Sequence, residues 1–405
     1  MTRTAELPAE KVGDPDEVRT GKPPAILLGG ETISLAVGRR LSAAGVPVYG
    51  LGYWADPLRV SRHRRAYVPT SGTADVLNWL ETGPRHGVVL PCYDDGLELV
   101  ALHRARIEEL GYRAIEADDD VLLAMLDKTR TYELAAAAGI AVPRTAAVAS
   151  HEEAVAAAEE IGYPCALKPR HSHRFARHFG LLRKAIVVES RADLEAALAE
   201  TSGLGLDLLV TEIIPGPDEG FVSYYSYLDS DGEPLFHVTK RKPRQFPPGF
   251  GLGSYHLTDW NPEVAAAGLR FFQGVGLRGL ACVEFKRDSR DGCLKLIECN
   301  HRFTAATAQL CAAGADIALF TYNRVLGLDG PEIDGYRRGV ALWYPGRDLR
   351  AFLQYRRQGQ LTLRAWLRSL LHRQRFPLAR ADDPVPSLAA VARRLLRLFR
   401  RRPAS

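Results

Sequence analysis

At 405 residues the chain is too long for one ordinary core, and two or three domains of about 100–200 residues are expected. Its 46% apolar and 25% charged residues exclude a wholly disordered, collagenous or fibrous chain. The net charge of +5 conceals an asymmetry: residues 331–405 carry 17 Arg, no Lys and 5 acidic residues, a charge of +12, which leaves −7 on the first 330.

No uncharged apolar stretch is long enough to span a bilayer, and the N-terminus lacks the basic-then-apolar layout of a secretory signal. Six cysteines (Cys92, Cys165, Cys282, Cys293, Cys299, Cys311) form no CxxC pair, so a reducing, cytoplasmic setting is expected. Residues 1–22 mix Pro, Gly, Glu and Asp without an apolar period and read as a mobile tail. From there PAILLGG is a strand, ETISLAVGRRLSAAG a helix closed by Gly45, VPVYGLG and GVVLPCYDD are strands, and GLELVALHRARIEELG is a helix. Alternating strands and helices imply a doubly wound parallel sheet, whose ligands lie beyond the strand carboxyl ends, near Gly29-Gly30 and Asp94-Asp95. A plain tight turn explains the glycine pair equally well.

From about residue 121 the texture changes to α+β. DDDVLLAMLDKTRTYELAAAAG reads as two helices, YPCALKPR and LLRKAIVVES as short strands, and LDLLVTEIIPG as a strand leading into a bend. EGFVSYYSYLDSDGEPLFHVTKRK is a hairpin around Asp231-Gly232, and LACVEFKRDSRDGCLKLIECN a second around Asp291-Gly292. In the second hairpin Glu284 and Glu298 are symmetric about Asp291, which places them opposite each other on one face. Asn300 and Arg302 follow at intervals of two and share that face if the strand continues. Facing carboxylates repel, and a divalent cation removes the penalty; oxygen-only ligands suit Mg²⁺. A solvated hairpin face is the plain alternative, and a one-residue slip of register would undo the pairing. Cys299 falls on the opposite face, as a buried small apolar residue. Lys168 ends an apolar strand, where its ammonium is a point charge suited to phosphate.

These features, in this order, resemble the ATP-grasp superfamily over about residues 23–330. Within it the chain is similar to carboxylate–amine ligases of the D-aspartate ligase type, on ILLGG, KPRHSHRFARHFGLLRKAIVV and PPGFGLGS. The resemblance implies a nucleotide site in which Lys128 and Lys168 meet the phosphates. The Glu212 carbonyl and the Ile214 amide, next to Thr211, would pair with the base, and Asp218 or Glu219 would hold the ribose. Glu284, Glu298 and Asn300 would ligate Mg²⁺, with Mn²⁺ as an alternative, and Arg302 would be catalytic, with Lys168 beside it. Where many ATP-grasp enzymes have a Gly-rich flap, this chain has His171, His173, Arg174, Arg177, His178 and Lys184; Lys184 is the best candidate for a phosphate clamp. Of Lys240, Arg241, Lys242 and Arg244, which alternate along a strand, Arg241 or Lys242 is expected near the γ-phosphate or the carboxylate substrate.

The implied fold class is α/β and α+β: a doubly wound N-terminal domain (23–120), an ATP-grasp module of two subdomains (121–330) and an Arg-rich helical appendage (331–405). The implied reaction joins a carboxylate to an amine through an acyl phosphate and releases ADP and phosphate. Another phosphoryl transfer, or a non-catalytic nucleotide-binding protein with a basic tail, are the alternatives. Expected partners are small-molecule carboxylates and amines and no nucleic acid, with a homodimer left open. Residues 386–405 alternate Leu, Val and Arg as an amphipathic helix. Its apolar face is expected either to pack on the acidic body or to meet an anionic membrane at the inner face of the cell.

Overall fold

The computed structural model describes residues 21–180 and 183–400, with side chains up to 396 at the C-terminal end. The expected tail therefore lies outside the described residues except for its last two. The described residues form three sheets. The first contains β1 (Ala25–Leu28), β2 (Val48–Gly52), β3 (Ala66–Pro69), β4 (Val88–Pro91) and β5 (Arg113–Ala114), with helices α1 (Thr32–Ala43), α2 (Thr73–Thr82) and α3 (Asp94–Glu109) between them. The strand order is β3-β2-β1-β4-β5 and every pairing is parallel. The central strands β1 and β4 are buried on both faces, as a parallel sheet covered by helices requires. Chain order reverses at β1, so the crevice between the exits of β1 and β4 is the natural ligand site. Gly30 is required there. Its φ is +113°, and a Cβ on it would lie 2.4 Å from the Cβ of Cys92.

Two short helices, α4 (Asp119–Leu126) and α5 (Lys128–Ala137), lead into the second sheet. That sheet holds β6 (Thr145–Val148), β7 (Cys165–Pro169), β8 (Ile186–Val188) and β9 (Leu208–Glu212) in the order β6-β9-β7-β8. Helices α6 (His151–Ile161) and α8 (Arg191–Thr201) pack their alanine and leucine faces on it, and α7 (Ser172–Phe179) follows β7.

The third sheet is the largest. Its strands are β10 (Phe221–Leu228), β11 (Val238–Phe246), β12 (Leu252–Asp259), β13 (Gly279–Arg287), β14 (Leu294–Asn300), β15 (Val340–Trp343) and β16 (Arg373–Arg375). Their order is β14-β13-β10-β11-β12-β15-β16. Period-two alternation divides its faces. Ala281, Val283 and Phe285 pack with α4, α5 and α9 (Pro262–Gly274), whereas Leu280 and Cys282 join the core of the N-terminal domain. Helices α10 (Thr307–Ala313) and α11 (Ile317–Leu326) complete that shared core.

The last segment contains α12 (Pro345–Arg357), α13 (Leu363–Ser369) and α14 (Val385–Arg400), and it is more than a helical appendage. Its β15 pairs antiparallel with β12, and β16 pairs parallel with β15. Two buried carboxylates fasten it. Asp348 accepts Arg244 Nε at 2.7 Å, Ser254 Oγ at 2.9 Å, and the indole N–H groups of Trp343 and Trp366 at 3.0 and 2.9 Å. Asp383 accepts Arg39 Nε at 2.9 Å and Ser61 Oγ at 2.6 Å from the N-terminal domain. The face of α14 turned to the body is made of Pro386, Ser387, Ala389 and Ala390, while Leu388, Val391 and Leu395 are exposed. The expectation that the apolar face packs on the acidic body is therefore not met in the described residues: small residues allow the close approach, and the branched ones face outward.

Removing one partner from a buried, fully bonded pair leaves the other uncompensated, at about 3–5 kcal/mol. Asp348→Ala should lower stability in urea unfolding by that amount. Asp382→Ala, which removes an exposed pair with Arg380, should change it by less than about 0.5 kcal/mol.

Candidate active site

A deep cleft runs between the second and third sheets and opens on the β1–β4 crevice. It has a larger lobe of about 310 Å³ and a smaller one of about 90 Å³, which share Lys128, Lys184, Lys242, Glu284 and Glu298 among their walls.

The hairpin of β13 and β14 builds the floor. Glu284 pairs directly with Glu298, as expected, but not through the symmetry about Asp291. Near the turn the register is Phe285 with Leu296 and Lys286 with Lys295, one residue short of that symmetry. Ile297 is left over as a β-bulge, and this extra residue returns Glu298 to the face of Glu284. Without it Glu298 would face the apolar core with Val283. The bulge is held on both sides: Tyr132 Oη donates to the Ile297 carbonyl at 2.9 Å, and the Leu296 amide donates to the Ala141 carbonyl at 2.8 Å. Asn300 shares the cavity face, its Nδ2 at 3.4 Å from Glu298 Oε1. Cys299 packs into the opposite core, as its parity implies.

Cations from several parts of the chain surround the two carboxylates. Lys242 of β11 donates to Glu284 at 2.9 Å, and Lys184 Nζ lies 3.7 Å from Glu298. Lys128 opens α5 and reaches Ser172 Oγ at 2.5 Å, and Lys168 ends β7. Asp127 sets both positions: it caps α5 through the Thr129 amide at 2.9 Å and accepts Arg170 Nε, two residues beyond Lys168, at 2.8 Å. Arg302 is held by Asp94 at 2.6 Å and by the Phe303 carbonyl at 3.0 Å, so the exit of β4 orients it. Lys184 and the other cations hold the Glu298 carboxyl well below its ordinary range against the opposing effect of burial. Glu298 in turn raises Lys184. Burial lowers Lys128, and burial together with the neighbouring Lys128 lowers Lys168 to about 8.

The donor set fits Mg²⁺. Glu284, Glu298 and Asn300 offer only hard oxygen ligands from the protein side. Among the described residues no three His, Cys, Asp or Glu converge, so further positions would fall to phosphate oxygens and water. The smaller lobe is walled by Ile213, Ile214, Phe221 and Ile297 beside Lys168 and Lys286, a flat apolar slot with cations at its edge.

Three expected contacts are corrected. Thr211 is fully buried and bonds Thr145 Oγ1 at 2.8 Å; it shares the Lys168 face of the sheet but lies outside the cleft lining. Asp218 is buried and accepts Gln245 Nε2 at 2.8 Å, the Gly249 amide at 2.9 Å and the Tyr355 hydroxyl, which leaves it no ribose to hold. Its neighbour Glu219 is exposed and lies outside the cleft lining. Arg241 lies on the opposite face of β11 and pairs with Asp259 at 3.3 Å, whereas Lys240 and Lys242 point into the cleft. Glu212 and Ile214 line the smaller lobe, but the Glu212 carboxylate is turned to Arg290 at 2.6 Å, so only its backbone is free for a base.

The basic segment after β7 also differs from expectation. It forms α7, which docks on α3 through His173–Glu98 at 3.4 Å, Arg174–Glu98 at 3.3 Å and Arg177–Asp95 at 3.1 Å. His173 and Arg174 pull Glu98 down to about 2. Of these cations it is Lys184 that reaches the cleft. Sequence reasoning did not assign Glu31, Tyr225, His256, Tyr344 and Arg347, which line the larger lobe. Parity with Lys242 was the signal for Lys240; the appendage's Tyr344 and Arg347 gave none.

Residues 120–178 match the family model of the ATP-grasp domain. The D-aspartate ligase of Enterococcus faecium is 24% identical over 285 residues, 67% of either chain. The D-alanine–D-alanine ligase of Stutzerimonas stutzeri is 26% identical over 304 residues, 68% of this chain and 83% of that one. The biotin carboxylase domain of the Hydrogenobacter thermophilus 2-oxoglutarate carboxylase, solved with MgADP and bicarbonate, superposes with a TM-score of 0.62 at 20% identity. It covers 78% of this chain and 73% of its own. The chain carries an ATP-grasp domain match over residues 120–178 and resembles the D-aspartate ligase type. The cleft here is lined on one side by the C-terminal segment, through Tyr344 and Arg347.

The lowered Lys168 gives a pH test. Its penalty is complete below about pH 8, where folded and unfolded states both hold the proton. It fades between about 8 and 10.5, where the unfolded chain keeps a proton that the folded one has released. Lys168→Met should therefore stabilise the nucleotide-free protein in urea unfolding at pH 7. The gap to wild type should close as pH rises through that window.

Proposed function

We propose that the protein is an ATP-dependent ligase that forms a C–N bond between a carboxylate and an amine, through an acyl phosphate. The observation that carries this reading is the Glu284–Glu298 pair, directly opposed at the bulge and ringed by Lys128, Lys168, Lys184, Lys242 and Arg302. A site for binding alone has no use for paired carboxylates beside so many cations. The ligase names of the relatives, and the MgADP in the superposed carboxylase domain, support the same reading.

In this reading the base lies in the smaller lobe against the backbone of Glu212–Ile214, with the ribose toward Gln245 and Gly249 rather than Asp218. Lys128 and Lys168 neutralise the phosphates. Mg²⁺, held by Glu284, Glu298 and Asn300, would supply charge neutralisation at the triphosphate. A carboxylate oxygen of the substrate bonds to the γ-phosphorus, and ADP leaves. The amine nitrogen then attacks the acyl carbon, loses a proton, and expels phosphate. Arg302, fixed by Asp94 at the junction of the two lobes' carboxylates and the β4 exit, stabilises the oxygen that gains charge in both steps. Lys240 and Lys242 lie on the side of the larger lobe where the carboxylate would enter.

Phosphate release with Mg-ATP should require both an amino-acid-like carboxylate and an amine; release that needs neither would contradict ligation. Arg302→Ala should leave ATP affinity nearly intact and reduce turnover by roughly 10²–10³, the usual loss for one oxyanion donor. Collapse of nucleotide affinity with turnover per bound ATP preserved would contradict its role.

A further inference from the structure

Of the sixteen large apolar side chains exposed among the described residues, eleven lie between Leu349 and Leu396. On α14 Leu388, Val391 and Leu395 recur at helical spacing on the outward face. Isolated exposed apolar residues are ordinary, but a concentration on one segment marks an interaction surface. The elements that carry it adjoin. Phe352 of α12 stacks on Trp366 of α13 at 4.7 Å, and a side chain at Gly346, at the start of α12, would meet Arg394 of α14 at 3.4 Å. Arg393 donates to the Ala55 carbonyl at 2.7 Å, which sets α14 beside the exposed Trp54.

The charge of this surface selects its partner. Residues 345–396 hold 11 Arg and 3 Asp. Asp348 and Asp383 are buried in the ion pairs that anchor the segment, and Asp382 is paired with Arg380. What faces solvent is apolar and positive. A second copy applied by two-fold symmetry would set arginine against arginine with no free acid between them. A nucleic acid would satisfy the arginines and leave the leucines without a partner. A lipid surface offers both anionic headgroups and acyl chains, and arginine stems can lie along the apolar boundary with their heads among phosphates.

We infer that the α12–α14 face is a docking surface for an anionic membrane. The helices lie on the bilayer rather than across it: no helix among the described residues is long and apolar enough to span one. Because Arg347, in the first turn of α12, lies in the cleft wall, docking would hold the larger lobe near the membrane surface. The inference rests on surface composition and stands apart from the reaction proposed for the cleft.

The full chain should co-sediment with vesicles rich in phosphatidylglycerol, not with phosphatidylcholine alone, and should be released as salt rises to about 0.5 M. Leu388→Ser/Val391→Ser/Leu395→Ser replaces exposed residues only, so folding checked by circular dichroism should be unchanged. Vesicle affinity of that variant should fall at least about tenfold. Arg364→Gln/Arg368→Gln should weaken binding and reduce its salt dependence. Absence of sedimentation at low salt would overturn the inference. So would equal binding by the triple variant, which would make the surface a plain polyanion site. A dimer in sedimentation equilibrium that the triple variant dissociates would overturn it in favour of a second copy of the chain.

Discussion

Two carboxylates held opposite each other on adjacent strands are the constraint around which this protein is arranged. Glu284 and Glu298 repel, and leaving that repulsion buried would destabilise the hairpin. The fold answers it with ammonium groups delivered from different parts of the chain: Lys128 from a helix start, Lys168 from a strand end, Lys184 after α7, and Lys242 from β11. Burial, joined at Lys168 by the neighbouring Lys128, pushes Lys128 and Lys168 toward the neutral form while Glu298 is held ionised. In the proposed reaction, an incoming polyanion with its metal would relieve both strains at once. The bulge at Ile297, the Tyr132 hydroxyl that holds it, and the Asp127–Arg170 pair that aligns Lys128 and Lys168 all serve this one local geometry.

The C-terminal segment is bound into the same machinery. Tyr355 of α12 donates to Asp218, which also receives Gln245 and the Gly249 amide, so the bend after β9 is braced by the C-terminal segment. Asp348 ties α12 to β11 and β12 through Arg244 and Ser254. Lys240 and Lys242 lie on the same β11, a few residues from Arg244. α12 is thus bonded to the strand that presents two cleft cations. The N-terminal domain contributes in the same way: Asp94 at the β4 exit fixes Arg302, and Glu98 with Asp95 anchors α7.

Much of this was legible in the sequence, for reasons that differ by element. The alternation of AILLGG and GVVLPCYDD with helices specified a parallel sheet and its ligand edge, where Gly30 and Asp94 now stand. The facing of Glu284 and Glu298 was also correct. It emerged from two offsets that cancel, a turn centred half a residue from Asp291 and a bulge at Ile297, and no period-two argument reveals a bulge. Parity separated Arg241 from Lys242 but left the face open, because that choice depends on which neighbours cover each side of β11; Lys240 and Lys242 take the cleft side. Asp218 looked free in sequence; its partners Gln245, Gly249 and Tyr355 lie 27, 31 and 137 residues away. The third strand AYVP was too short to announce itself, and β15 and β16 were hidden in a segment whose arginine content suggests helix and tail.

The most direct measurement of the central claim follows the carboxylate oxygen. The carboxylate substrate that supports the fastest phosphate release, labelled with ¹⁸O in its carboxyl group, is turned over with Mg-ATP and the amine. The phosphate is then analysed by mass spectrometry. An acyl phosphate formed beside Glu284, Glu298 and Arg302 delivers one labelled oxygen to each phosphate released and leaves the other in the amide. Unlabelled phosphate, or label carried into AMP, would contradict it.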